Sequence, residues 1–242
     1  MDYRQPRPRK SQHALIVHEL GKRIVSGYFQ PEERLPAETQ LCHDYEVSRT
    51  VLRESMRVLI AKGLVWSKPR VGSVVRPRHD WHTLDPDVLH WIMQTSPPEA
   101  FHDMLAEVRH IVEPATAALA ARHATHQEAD HIGDAFSRME AASDGPHDQS
   151  LPPDFEFHCR IAEASHNPLL AHLCTVILQT LHESIKQATQ PAERHKLSLP
   201  RHRAILTAIQ NHDALGARQA SLVQLESTCK TRHIAPSLPG CG

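Results

Sequence analysis

The stretch from Ser48 to Val75 changes its periodicity partway, and that change limits the fold more than any other feature of this 242-residue chain. As far as Lys62, apolar residues recur at helical spacing: Val51 or Leu52, then Met56, Leu59 and Ile60. Past Gly63 come two short β-prone runs, Leu64-Val65-Trp66-Ser67 and Ser73-Val74-Val75, separated by Lys68-Pro69-Arg70-Val71-Gly72. Two strands about a basic turn make a wing. Upstream, Leu15, Ile16, Leu20, Ile24 and Val25 predict a helix over 11–27 that Gly27 closes. Pro36 then precedes a second helix over 37–44, with Leu41 and Tyr45 inward and Glu38 in the first turn. After a break at Glu46-Val47, Ser48 is the expected N-cap of the third helix. Three helices and a wing predict a winged helix-turn-helix over 11–77.

Such a fold brings the N-terminal residues of its recognition helix to base edges and the flanks to phosphates. That N-terminus is Ser48-Arg49-Thr50, with Arg53 one turn on and on the same side as Arg49. Arginine can bond guanine O6 and N7 in bidentate fashion, while the hydroxyls and the helix N-terminus suit phosphate. Arg70, at the wing tip, could reach the minor groove or the backbone. Arg49, Arg53 and Arg57 alone would read equally as a solvated helix face. The helix–turn–helix–wing order is what favours DNA.

Charge agrees with that order. Residues 1–78 hold 15 Lys/Arg against 8 Asp/Glu, whereas 79–242 hold 12 against 20, with 17 of the 20 histidines. A basic part joined to an acidic one suggests that only the first meets a polyanion. Residues 1–10, with Pro6 and Pro8 among four basic residues, read as a flexible basic arm or a solvated tail. No apolar run approaches the roughly 18 residues of a membrane span, and no signal-peptide segment follows the start. The five cysteines are odd in number and form no CxxC pair, which is cytosolic usage. A cytoplasmic protein with no membrane partner is expected.

Residues 78–83 read as a linker, and 84–232 as helices throughout, so the fold class is mainly α. Asp85-Pro86-Asp87 opens a helix. Pro97-Pro98 begins a long one to about Thr125, in which Pro114 predicts a kink. Helices over 127–142, 153–165, 168–189, 198–211 and 213–232 follow, with a polar loop from Gly145-Pro146 to Pro152-Pro153, and 233–242 reads as a disordered tail. Asp154 and His158, four apart, project from one helix face, the smallest chelating unit a helix can offer. His202 could add a third ligand. An oxygen donor with two imidazoles suits Zn first, and also Ni, Mn or Fe. In a chain with twenty histidines, the pair alone reads more readily as a solvated acid beside a surface histidine.

The run Leu35-Pro36-Ala37-Glu38, then Val47 to Glu54, Leu59 through Gly63-Leu64, and Arg70-Val71-Gly72-Ser73 resembles the GntR family of bacterial regulators over roughly residues 12–76. In that family the positions of Ser48, Arg49, Arg53 and Gly72 contact operator DNA. Many members carry arginine where this chain has Thr39. Glu107-Val108-Arg109 with Glu113-Pro114, Asp154 to His158, His166 to Leu170 and His202 to Leu206 resemble the FadR-type, or FCD, effector domain. That resemblance implies an all-helical bundle over 84–232 that holds a divalent metal beneath a ligand cavity. Its metal ligands fall on Asp154, His158 and His202, and a further histidine position falls on Gln224, a poor ligand expected among the effector-binding residues. It also implies that Arg109 faces the effector, unless it pairs with Glu107 or Glu113. Asn167 either lines the pocket or caps the next helix. Trp81 to Trp91 and Leu20 to Gly27 are similar to the repressors of galactonate and related sugar-acid catabolism, which points to a polyhydroxylated carboxylate effector.

The function expected is a homodimeric repressor of sugar-acid catabolic genes that binds double-stranded operator DNA and is released by a small carboxylate beside a divalent metal. It is not expected to be an enzyme. Three rival readings are a metal-ion sensor, a metal-free regulator of acyl-CoA type and a metal-dependent hydrolase.

Overall fold

The computed structural model describes residues 12–143, 145, 147–186 and 193–232. The arm expected over 1–10 and the tail expected over 233–242 lie outside them. The chain divides into two compact units, Met1–Phe101 and His102–Gly242.

The first unit holds α1 (Gln12–Val25), α2 (Glu38–Asp44), α3 (Arg49–Ala61), β1 (Val65–Lys68), β2 (Gly72–Val75) and α4 (Pro86–Thr95). Ser48 starts α3 by accepting the backbone N–H of Val51 at 3.3 Å, which satisfies one of the donors a helix start leaves over. The strands pair antiparallel from Val65↔Val75 to Lys68↔Gly72. Residues 32–35 join the sheet as well, through an Arg34↔Val74 bridge and the Leu35 N–H donating to Ser73 at 2.9 Å. Leu20, Ile24, Leu52, Leu59, Leu64 and Val75 form the middle of one core. Two expected inward residues face outward instead: Leu15 is 49% and Ile60 39% exposed. Val17 and Ser55 take the inner positions. Ser55 can be buried because its hydroxyl donates to Val51 O at 2.9 Å.

The helix opened by Pro86 was expected in the second domain, but α4 packs on α1 within the first unit. The Trp91 ring occupies the space that any Cβ at Gly21 would need. Its indole Nε1 donates to His18 Nδ1 at 3.0 Å. Asp85 caps α4, accepting from the N–H of Asp87 and of Val88, and also receives Lys62 Nζ at 2.7 Å.

The second unit holds α5 (Pro98–His123, entered from the last residues of the first unit), α6 (His126–Ala141), α7 (His147–Ala164), α8 (Pro168–Lys186), α9 (Glu193–Gln210) and α10 (Ala214–Arg232). Thr125 and Glu128 make a reciprocal capping box at the start of α6. Within the bundle α6 packs on α7 and α9, α7 on α8, and α9 on α10. Phe136, Phe157, Ile132, Met139, Ile205 and Ile209 fill the centre, and the alanine face of α5 closes it. α5 continues as helix on both sides of Pro114. The loop expected before Pro153 is helical from His147, so Pro152 and Pro153 lie inside α7. They remove two donors near its start, while buried Leu151 anchors the turn before them.

Candidate functional site

The first unit offers a cationic surface at the start of α3 and at the wing. Ser48, Arg49, Thr50, Arg53, Arg70 and Gly72 are all exposed there. Arg53 Nε donates to Glu38 Oε1 of α2 at 2.9 Å, which fixes the guanidinium across the two helices. Arg57 turns to Glu54 at 2.6 Å and serves its own helix. At the wing tip Arg70 adopts φ +65° and Gly72 φ +89°. The left-handed region favours glycine, so the turn that projects Arg70 is held against its own preference. Thr39 is exposed on α2.

In the second unit, Asp154 and His158 of α7 meet His202 of α9, and one ligand atom from each lies within 4.8 Å of the others. His202 Nε2 is 3.2 Å from His158 Nε2 and 3.3 Å from Asp154 Oδ1. Each imidazole has an oxygen behind its Nδ1. His202 Nδ1 lies 3.0 Å from the Ser198 carbonyl, and His158 Nδ1 lies 3.6 Å from Glu113 Oε2. The Ser198 carbonyl places the His202 hydrogen on Nδ1 and leaves its Nε2 lone pair toward the cluster, the usual support of a metal-ligating histidine, while the Glu113 carboxylate stands near His158 Nδ1 beyond hydrogen-bond length. The His202 lone pair, with His158 Nε2 at 3.2 Å and an Asp154 oxygen at 3.3 Å, is repelled by its neighbours unless a proton or a cation stands among them. The donor set therefore fits a divalent metal.

Burial holds the His158 imidazole below its ordinary value, against the pull of Glu113 and Asp154, so it is neutral and available as a ligand. Burial alone would raise Glu113. The Arg109 guanidinium, by its charge and its hydrogen bond, outweighs it and keeps that carboxyl below the usual range. Arg109 reaches Glu113 through Nε and, at 3.5 Å, through Nη2. Arg109 thus makes the ion pair with Glu113. A cavity beside the cluster is lined by Glu113, Thr116, Ala117, His158, Ile161, Cys174, Leu178, Ile205 and Ser221, and holds little more than a water-sized space.

Gln224 is buried on α10, with Nε2 3.2 Å from His202 Nε2, and its Oε1 accepts from Arg201 Nε at 2.8 Å. Asn167 caps α8, accepting from the N–H of Leu169 at 3.1 Å and of Leu170 at 3.2 Å, and is not among the cavity residues. The pairing of Arg109 with Glu113 was among the sequence alternatives, whereas the approach of Glu113 to His158 and the contact of Arg201 with Gln224 were missed. Residues 113 and 158 lie on different helices, so no local spacing signals the first. For the second, residues 201 and 224 stand about equally far from the turn near His212, on facing helices.

Comparison with known proteins agrees with both halves. Residues 13–75 match the model of bacterial regulatory proteins of the gntR family, and 103–227 match the FCD domain. The galactonate operon transcriptional repressor of Escherichia coli (strain K12) is 33% identical over 89% of this chain and 94% of its own. A protein of the same organism, named for regulation of the L-lactate dehydrogenase operon, is 35% identical over 79% of this chain and 75% of its own. Among solved structures, the Listeria monocytogenes protein Lar covers 95% of this chain and all of its own, with a TM-score of 0.61 at 18% identity, a likeness of fold.

Proposed function

The chain belongs to the GntR family of bacterial regulatory proteins, with an FCD domain after its DNA-binding domain, and from that membership we propose that it represses sugar-acid catabolic genes until a small 2-hydroxy carboxylate binds. That it is a DNA-binding transcriptional regulator follows from the family itself. No helix among the described residues is long and apolar enough to cross a membrane. The operator-bound form in this proposal is a homodimer, with two recognition helices in successive major grooves of a near-palindromic site. Ser48, Arg49, Thr50 and Arg53 would meet the major groove, and Arg70 with the Gly72 backbone the flanking phosphates.

The observation that carries the effector reading is the convergence of Asp154, His158 and His202 beside a cavity. Those three residues would hold a divalent ion, zinc first, which when bound supplies positive charge for a carboxylate and its neighbouring hydroxyl. Galactonate and L-lactate, for which the relatives' operons are named, share that pair of groups. Glu113 lines the cavity as a carboxylate, so an effector turns a hydroxyl toward it. Arg109 acts through Glu113 by neutralising it. The cavity must widen to admit a six-carbon acid. Binding then favours one arrangement of the bundle over another, the condition for any effect on DNA affinity.

A thermal-shift screen of galactonate, lactate and other sugar acids on the full chain, with and without chelator, tests this. Stabilisation that chelator abolishes is expected. Stabilisation indifferent to chelator would sink the metal. Release from operator by metal alone would make the ion the signal.

A further inference from the structure

Among the buried serine and threonine hydroxyls, Ser221 stands apart. Ser55 and Thr116 each donate to the carbonyl four residues earlier, at 2.9 and 2.7 Å, the habit of a hydroxyl inside a helix. Ser165 donates to the Ala162 carbonyl at 2.6 Å, and Ser184 meets His102 Nε2 at 2.6 Å. Ser221, 4% exposed inside α10, bonds neither the Ala217 carbonyl nor any other group among the described residues. It lines the cavity beside the metal-ligand cluster. The other polar side chains of that wall are engaged: Glu113 with Arg109, Thr116 with Val112 and Cys174, His158 with His202. Ala117, Ile161, Leu178 and Ile205 make the rest of it apolar.

We infer that Ser221 bonds a hydroxyl that the effector carries beyond its carboxylate and 2-hydroxyl, so that α10 selects polyhydroxylated acids over alkyl acids of the same length. This rests on the metal and carboxylate reading above. With the carboxylate end at the ion, the rest of the ligand enters the cavity, whose lining takes His158 from the cluster but neither Asp154 nor His202. Glu113 there only accepts, whereas a serine hydroxyl both donates and accepts, and the two together suit a chain of hydroxyls. The space admits water, which can satisfy Ser221 in the ligand-free protein. An alkyl chain would displace that water and return nothing, leaving a buried hydroxyl unpaired. A site built to bond a hydroxyl rejects the analogue lacking it more strongly than an apolar site rejects an added one.

Calorimetric titration of the full chain, with zinc present, tests this by comparing galactonate with 2-hydroxyhexanoate. The second acid keeps the chain length and the carboxylate–hydroxyl pair but has no further hydroxyls. The parent should bind galactonate at least about tenfold more tightly. Ser221→Ala should lose about tenfold for galactonate while holding 2-hydroxyhexanoate within about threefold. Alanine suits a helix better than serine, so the variant keeps its fold, which parent-like zinc affinity would report. A parent without preference, an equal loss for both acids in Ser221→Ala, or no loss for galactonate overturns the role of Ser221 and leaves the metal and carboxylate reading standing. A parent that binds neither acid with zinc present overturns both. Binding that persists under chelator removes only the metal, and the ratio of the two acids then decides Ser221 by itself.

Discussion

Arg53 of α3 gives its Nε to Glu38 of α2 at 2.9 Å, so one arginine of the proposed DNA-binding surface is already held by a carboxylate. Both side chains are substantially exposed, and such a pair is worth little to the fold. Its value lies in aiming the guanidinium while lowering its appetite for phosphate. Glu38→Gln should therefore tighten binding to random duplex by about 0.5–1 kcal/mol, read by fluorescence anisotropy. If the same gain appears in an Arg53→Ala background, it is a general charge effect and Arg53 does not reach DNA.

Arg49 stands exposed one residue after the Ser48 cap. Arg49→Ala should cost about 1–3 kcal/mol of operator affinity and relax preference at one base position. An unchanged footprint would count against this helix entering the major groove.

Arg70 separates stability from binding. Its φ of +65° is a conformation glycine adopts freely, so Arg70→Gly should hold or raise the head's stability, by up to about 1 kcal/mol. The same change should reduce the salt slope of operator binding by about one unit. Urea melts and a salt titration read the two effects separately. An unaltered slope would make the wing a bystander.

Lys62 joins the end of α3 to α4 through Asp85 and Asp87, each 2.7 Å away. Burial alone would lower its pKa, but the two carboxylates outweigh it and hold it above the ordinary 10.5. A lysine raised in the fold contributes stability that is complete below its unfolded value and fades as pH rises beyond it. Lys62→Met should destabilise the chain by about 1–2 kcal/mol at neutral pH. That gap should narrow above about pH 10.5. A gap constant through that range would show that the ion pair contributes nothing.

Glu113 stands between Arg109 and His158. Glu113→Gln removes the negative charge beside His158 Nδ1, and zinc affinity should fall about tenfold. It also leaves Arg109, 8% exposed, without its counter-charge, so stability should drop by about 3 kcal/mol. Full zinc affinity in this variant would mean that His158 is positioned by packing alone.

The parts of this molecule set by local chemistry were legible in the sequence. Ser48 reads as a cap because its hydroxyl can reach a backbone N–H three residues on, and it does. Asp154 and His158 read as neighbours because a helix makes residues four apart neighbours. What failed needed tertiary information. Leu15 was expected inside, but the face α1 buries is chosen by α3 and α4, with Val17 taking the inner place. α4 was expected in the second domain, since nothing within residues 85–95 announces which unit Trp91 will enter. The Arg201–Gln224 contact joins facing helices 23 residues apart, and only their register brings it about.

The Trp91 ring seated over Gly21 has a practical meaning for anyone moving this DNA-binding head onto another regulator. The gntR match stops at residue 75, but the folded piece does not. A graft cut there would discard Trp91 and Val88, expose the face of α1 they cover, and strand Lys62 without its acids. The transferable part runs to about residue 95, so an interchangeable reading head in this protein comes with the first helix of its own stem attached.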